Sequence, residues 1–384
     1  MSRLLIYDTS NFVDFPIGGQ LTSIRNFLRF LCEEYPQRAK EILLVGVTLR
    51  PEEVGRVKKI RLFGRKVAFL PVAVAQKDLG NTSKSLRLEF VKGLLRRRKR
   101  LGITKRDCNY IHTPEAYGAV KLFCRGTACV IFSHGSYFNM ERGFRFFQKN
   151  VLVKKGFVLY LKWILKDADC IFALDTNSLQ DYKPYNANLV RVANSIVCPE
   201  LPQGRHVLKE GRVSELVYVG RLSKDKRVGP ILEAVEGMEA AGGGRMHLTV
   251  VGDGEEYRHL AKWEGEAVHF VGAVAPKEVK GYMEQADILV MNSAFEGMPM
   301  TILEAISLGL PVVSTNVGGI GEALHFGQDS EETDGTAEGI RAAVRKIEKC
   351  YEAYSRKAYE NSKAYDYRVV NRKIYRVLER HWKA

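Results

Sequence analysis

Leu216-Val217-Tyr218-Val219-Gly220-Arg221-Leu222-Ser223-Lys224-Asp225-Lys226 reads as a buried strand that ends on a glycine turn and then passes three cations, of which Arg221 and Lys226 stand five residues apart. A short, wholly apolar run closed by glycine fits a strand covered on both faces. Further strand-like runs stand at 248–251, 269–271, 288–291 and 312–315, with helical periodicity between them. Upstream, six further runs at 4–7, 42–47, 67–73, 110–113, 129–133 and 170–174 alternate with helical patterns. The clearest of these places Leu21, Ile24, Phe27, Leu28 and Leu31 on one face. Strand–helix alternation predicts parallel sheets with helices on both faces. Six strands, a break at 194–204 with two prolines and a glycine, and five more strands predict an α/β protein of two doubly wound, Rossmann-like domains facing a cleft.

Composition agrees. The 384 residues are 46% hydrophobic and 27% charged, which excludes a wholly disordered chain. The longest apolar stretch, 157–174, is broken by Lys162, Lys166, Asp167 and Asp169, and the run after Arg3 is too short for a signal peptide. Seven scattered cysteines contain no Cys-x-x-Cys pair, so no zinc site is expected, and a reducing, cytoplasmic setting fits. The charge is divided unevenly. Residues 1–200 hold 34 Lys and Arg against 17 Asp and Glu, whereas residues 201–384 hold 25 against 27. An acidic surface or partner is therefore expected for the first half alone.

Ligands of open parallel sheets bind beyond the carboxyl ends of the strands, so chemistry is expected in the loops that follow them. Arg221 offers a planar fork and Lys226 a point charge, both suited to phosphate oxygens; read alone, the loop is more readily a solvated charged turn. The stretch Phe295-Glu296-Gly297-Met298-Pro299-Met300-Thr301-Ile302-Leu303-Glu304 follows a strand and opens a helix. Free amides at its start suit a diphosphate, and the carboxylates of Glu296 and Glu304 accept hydrogen bonds from sugar hydroxyls. Acids placed to suit the helix dipole are the alternative. Gly318-Gly319 with Glu322 forms a third glycine turn after a strand, and Gly252-Asp253-Gly254 reads as a plain turn.

Gly220-Arg221-Leu222 with Lys226, Glu296 with seven residues before Glu304, and Gly318-Gly319 with Glu322 occur in this order. Over about residues 214–325 the chain resembles the donor-binding domain of the family 4 retaining glycosyltransferases, which have the GT-B architecture. The resemblance implies that residues 198–365 bind a nucleotide-diphosphate sugar and that residues 1–197 bind the acceptor, with a helix at about 366–384 packing back on the first domain. Arg221 and Lys226 would hold the diphosphate, with Gly220 at the turn and amides around Gly297, Met298, Pro299, Met300 and Thr301 completing the site. Glu304 would bind the ribose, Glu296 the transferred sugar, and Val274 would border the base. In the first half, Gly18 and Gly19 would lie against donor phosphate and acceptor, and His134 near the transferred sugar. His112 and Thr113 would border the acceptor. The stretch 328–335 departs from the family, being acidic where a short apolar strand is expected.

The resemblance implies hexose transfer with retention, through front-face attack and an oxocarbenium-like state. No cofactor or metal is expected, and a UDP-linked donor is the default over GDP. The rivals are a phosphorylase-like or sugar-phosphate transferase of the same architecture and an inactive basic binding module.

Residues 92–106 contain eight Lys and Arg and no acid, including Arg96-Arg97-Arg98-Lys99-Arg100 with leucines interspersed. Phe144, Phe146 and Phe147 stand near Arg142, Arg145 and Lys149. These features point to an anionic membrane face, each basic residue contributing about 1 kcal/mol near such a surface. A peripheral position on the inner face of the membrane and a lipid-linked or polysaccharide acceptor follow as expectations. A solvated helix face is the alternative. Nucleic acid is not expected, because no recognised nucleic-acid module is present.

Overall fold

A computed structural model describes residues 2–13, 19–75, 85–123, 126–136, 138, 151–200, 214–240 and 246–382. Gly18, Cys124 and the Phe144–Phe147 aromatic-basic segment lie outside the described residues. The chain divides into two compact units, Met1–Ala193 with Val370–Ala384, and Asn194–Val369.

The first unit carries an eight-stranded sheet. In chain order its strands are β1 (Leu4–Tyr7), β2 (Ile42–Thr48), β3 (Lys58–Leu62), β4 (Arg65–Val74), β5 (Cys108–Ile111), β6 (Ala128–Ser133), β7 (Cys170–Ala173) and β8 (Leu189–Arg191). Their spatial order is β3-β4-β2-β1-β5-β6-β7-β8. All neighbours are parallel except β3 and β4. Every residue of β1 is buried, as expected of a central strand covered on both faces. Apolar periodicity alone does not reveal β3. It is a charged edge strand, half exposed, joined to β4 through the two-residue turn Phe63–Gly64, both residues at positive φ. The sequence reading also passed over the three-residue edge strand β8. The end of the chain packs in this unit: Tyr375 stacks on Tyr35 at 4.1 Å, Trp382 is fully buried, and the Arg38 guanidinium lies 4.3 Å over the Trp382 ring.

The second unit carries β9 (Ser214–Val219), β10 (Met246–Val251), β11 (Val268–Gly272), β12 (Ile288–Met291), β13 (Val312–Ser314) and β14 (Ser330–Glu332), in the spatial order β11-β10-β9-β12-β13-β14. All pairs are parallel. β14 occupies the acidic stretch where the sequence argued against a strand. Glu331 is accommodated by side-chain partners: Lys346 Nζ donates at 3.1 Å, and the Tyr354 hydroxyl also donates. Asp329, fully buried, accepts from the His325 amide and from Asn361 Nδ2. Ladder bonds and satisfied carboxylates thus replace the apolar side chains on which a sequence-based strand assignment depends.

Candidate functional site

In each sheet the strand order reverses beside the first strand of the unit, and the loops leaving the two strands at that point define the ligand crevice of an open α/β sheet. In the second unit the reversal lies between β9 and β12. The loop after β9 is Gly220–Lys226, and the loop after β12 runs from Asn292 to Pro299. Two stretches 70 residues apart are therefore neighbours through the pairing of β9 with β12.

Lys226 Nζ donates to Glu296 Oε1 at 2.6 Å, and the Ser293 hydroxyl donates to the same oxygen at 2.8 Å. Both charged side chains are largely shielded, at 16% and 13% exposure. Asp225 Oδ2 stands 3.4 Å from the same ammonium. The Arg221 side chain is exposed and makes no hydrogen bond or ion pair among the described residues. Arg227, in the left-handed region at φ 44°, donates to the carbonyls of Asn292 and Ser293 at 3.0 and 3.1 Å. Two adjacent cations thus have different tasks: Arg227 braces the end of β12, and Lys226 lies against a carboxylate.

Glycine turns on either side hold these loops. A Cβ on Gly318, whose φ is +58°, would stand 1.7 Å from the Glu296 carbonyl oxygen; one on Gly252 would stand 1.8 Å from the Gly220 carbonyl oxygen. Backbone lies directly on backbone at both places, which only glycine permits. The Gly318-Gly319 turn is therefore a seat for the Glu296–Gly297 backbone, with the Gly319 amide donating to the Gly297 carbonyl at 2.8 Å.

The helix Met300–Ser307 begins after Pro299 as N-cap, with no side-chain oxygen capping it. Pro299 has no N–H, so the amides available here are those of Gly297, Met298, Met300 and Thr301. Asn194 Nδ2 donates to the Met298 carbonyl at 2.8 Å and fixes the approach to the helix. Glu304 lies one turn on and shares a face with Met300. Its carboxyl has no hydrogen-bond partner among the described residues, and burial pushes its pKa up to about 7. A half-buried carboxylate without donors suits a ligand that brings hydroxyls. Val274 is half-buried in the loop between β11 and the helix Pro276–Gln285.

In the first unit the reversal lies between β1 and β5. Gly19 opens the helix Gly19–Glu34. At the end of β1, Asp8 is buried; it accepts from the Thr113 hydroxyl at 3.0 Å and from Ser10 and Gln20. Burial raises its pKa against the lowering effect of those hydrogen bonds. Sequence reading did not single out Asp8; the available signal was an acid at the carboxyl end of an apolar strand. His112 Nδ1 and His134 Nε2 share a hydrogen bond of 2.9 Å. Burial holds His134 down to about 3 and His112 well below its usual value, so both rings are neutral. Among the described residues His112 Nε2 is buried without a partner. Among the described residues no group of three or more His, Cys, Asp or Glu is placed to hold a metal, and no helix is long and apolar enough to cross a membrane.

Residues 214–352 match the family model of the glycosyl transferases group 1. Glycogen synthase of Mycobacterium tuberculosis is 28% identical over 195 residues, which is 48% of this chain and 47% of the relative. The putative teichuronic acid biosynthesis glycosyltransferase TuaC of Bacillus subtilis is 32% identical over 132 residues, 34% of this chain and 32% of the relative. The chain spans about half the length of the first of these relatives and a third of the second. Sucrose-phosphate synthase of Thermosynechococcus elongatus superposes with a TM-score of 0.77 at 13% identity, covering 99% of this chain and 98% of that one. Anabaena HepE, solved with UDP and glucose, superposes at 0.67 and 15% identity, covering 99% and 100%. The chain has the GT-B fold, and residues 214–352 within its second unit are similar to the glycosyl transferases group 1.

Proposed function

We propose that this protein transfers a hexose from a nucleoside diphosphate sugar to a glycan or lipid-linked acceptor, with retention at the anomeric carbon. One observation carries the reading. At the switch point of the second sheet, two cations and an uncapped helix start stand with Glu296, which is held by Lys226, and Glu304 follows one turn into that helix. Cations and amides match a diphosphate, and carboxylates match hydroxyls. The relatives named above support the same class of chemistry.

The chemical demand is to stabilise charge on the departing diphosphate. Arg221 and Lys226, with the amides of Met300 and Thr301, would supply that stabilisation. When phosphate oxygens arrive, Lys226 would turn from Glu296 to the ligand, and Glu296 would be freed for a sugar hydroxyl. The leaving phosphate would take the proton of the acceptor hydroxyl in a front-face attack, so no protein nucleophile is needed. In the first unit the neutral His134 ring would serve a substrate hydroxyl, with His112 and Thr113 beside it. The excess positive charge of residues 1–200 is proposed to face an anionic membrane.

Thermal unfolding with a panel of nucleotides tests the donor reading. One nucleoside diphosphate, UDP by expectation, should stabilise the protein by about 2.7 kcal/mol at a hundredfold excess over Kd. No stabilisation by any nucleotide would refute it. The product's anomeric configuration, read by NMR, tests retention.

A further inference from the structure

The helices Leu86–Arg96 and Arg98–Leu101 meet at Arg97. Phe90, Leu94 and Leu101 are fully buried, which anchors this segment and leaves Arg96, Arg98, Lys99 and Arg100 exposed. With Arg56 and Arg97 they line one cavity of about 640 Å³. Arg97 Nη1 donates to the Val72 carbonyl at 3.2 Å. None of the six cations forms an ion pair among the described residues. The acid closest in sequence to Arg56, Glu53, is already engaged by Lys58 and Arg50. Val54 and Leu95 supply an apolar part of the wall.

A solvated helix face would spread its charge over the surface. Here six cations without an acidic partner among the described residues converge on one concavity, where anions relieve their mutual repulsion. A volume within the roughly 300–1,000 Å³ of small-molecule sites exceeds what a single monovalent ion fills. Guanidinium forks match phosphate oxygens two at a time. We propose that this cavity binds a multiply phosphorylated group, through Arg56, Arg96, Arg98, Lys99 and Arg100 around an Arg97 fixed by the backbone. The site belongs to the first unit alone and does not depend on the transfer reaction, so its failure would leave nucleotide binding by the second unit untouched. It also goes beyond a diffuse membrane-facing charge, because a cavity saturates.

Calorimetry with sodium tripolyphosphate and flotation with vesicles containing cardiolipin, whose headgroup carries two phosphates, test it on the full chain. The parent is compared with Arg96→Gln/Arg98→Gln/Arg100→Gln and with a charge-matched control, Lys155→Gln/Lys166→Gln/Lys183→Gln, whose residues are exposed elsewhere on the same unit. One-to-one tripolyphosphate binding is expected. It should weaken by about a hundredfold in the first variant, at about fivefold per basic residue, and stay unchanged in the control. Arg98→Gln alone should cost about fivefold, and equal thermal midpoints would show the variants folded. Vesicle binding that tripolyphosphate competes away assigns the phosphates to a lipid headgroup; tripolyphosphate binding without flotation assigns a soluble ligand. No saturable binding of either probe, equal loss in the control, or equally tight binding of an oligonucleotide of matched charge would overturn the proposal.

Discussion

Glu304→Gln should abolish a pH dependence of donor binding that the parent protein shows between pH 6 and 8. Burial places the Glu304 carboxyl at about 7, and only its ionised form accepts hydrogen bonds from a ribose diol on both oxygens. If donor affinity follows the ionised fraction, about one-eleventh of molecules bind fully at pH 6 and about ten-elevenths at pH 8. The parent's Kd should therefore fall about tenfold, or about 1.4 kcal/mol, over that range. Stability of the unliganded protein should run the other way. A carboxyl raised from 4.5 to about 7 favours the fold below its unfolded pKa, and that contribution is lost as pH rises through 7. The probe is the intact nucleotide sugar that stabilises the protein most, measured by calorimetry. A free nucleoside diphosphate is unsuitable, because its terminal phosphate titrates near a pKa of about 6. His134, held to about 3, does not titrate in this window. The glutamine variant should bind more weakly at pH 8 and with a flat profile. A parent Kd that stays constant from pH 6 to 8, or a variant that keeps the parent's slope, would refute the role given to Glu304.

Arg221→Ala should abolish transfer while leaving the thermal midpoint unchanged, since the Arg221 side chain is exposed; full turnover by this variant would remove the charge-stabilisation argument. Lys226→Ala should abolish transfer too, and should lower stability by about 1 kcal/mol because Glu296 loses its partner, as urea unfolding would show. Gly318→Ala forces a side chain into the Glu296 backbone at positive φ, and should cost about 2 kcal/mol or more together with nucleotide affinity. His112→Phe keeps an aromatic ring against Phe132 but removes the Nδ1 partner of His134 Nε2, so turnover should fall and stability should drop by about 1 kcal/mol; unchanged turnover would show that His134 needs no neighbour to set its tautomer. Transfer should proceed undiminished in a chelator, measured as product formed with and without EDTA.

Neighbouring residues left a clear trace in the chain. Central strands such as β1 and β12 are buried on both faces, so their residues are apolar without interruption, and their bounds can be read to the residue. The glycine-and-cation loop at 220–226 and the carboxylates eight positions apart at 296 and 304 are local patterns, visible wherever the fold puts them. Strands β3, β8 and β14 left no such trace, because an edge strand exists through backbone bonds to one neighbour and needs little apolar side chain.

The amino-acid order by itself determined two alternating α/β units, the strand ends where chemistry collects, and a division of charge between the halves. Tertiary structure alone decided which charged groups meet. Lys226 lies on Glu296 because β9 and β12 are neighbours across a strand-order reversal, while Arg221 in the same loop has no side-chain partner among the described residues. Asp8 meets Thr113, and His112 meets His134, because β1, β5 and β6 lie side by side. Such pairings depend on distances through space between residues 22 to 105 positions apart, and side-chain periodicity carries no record of them.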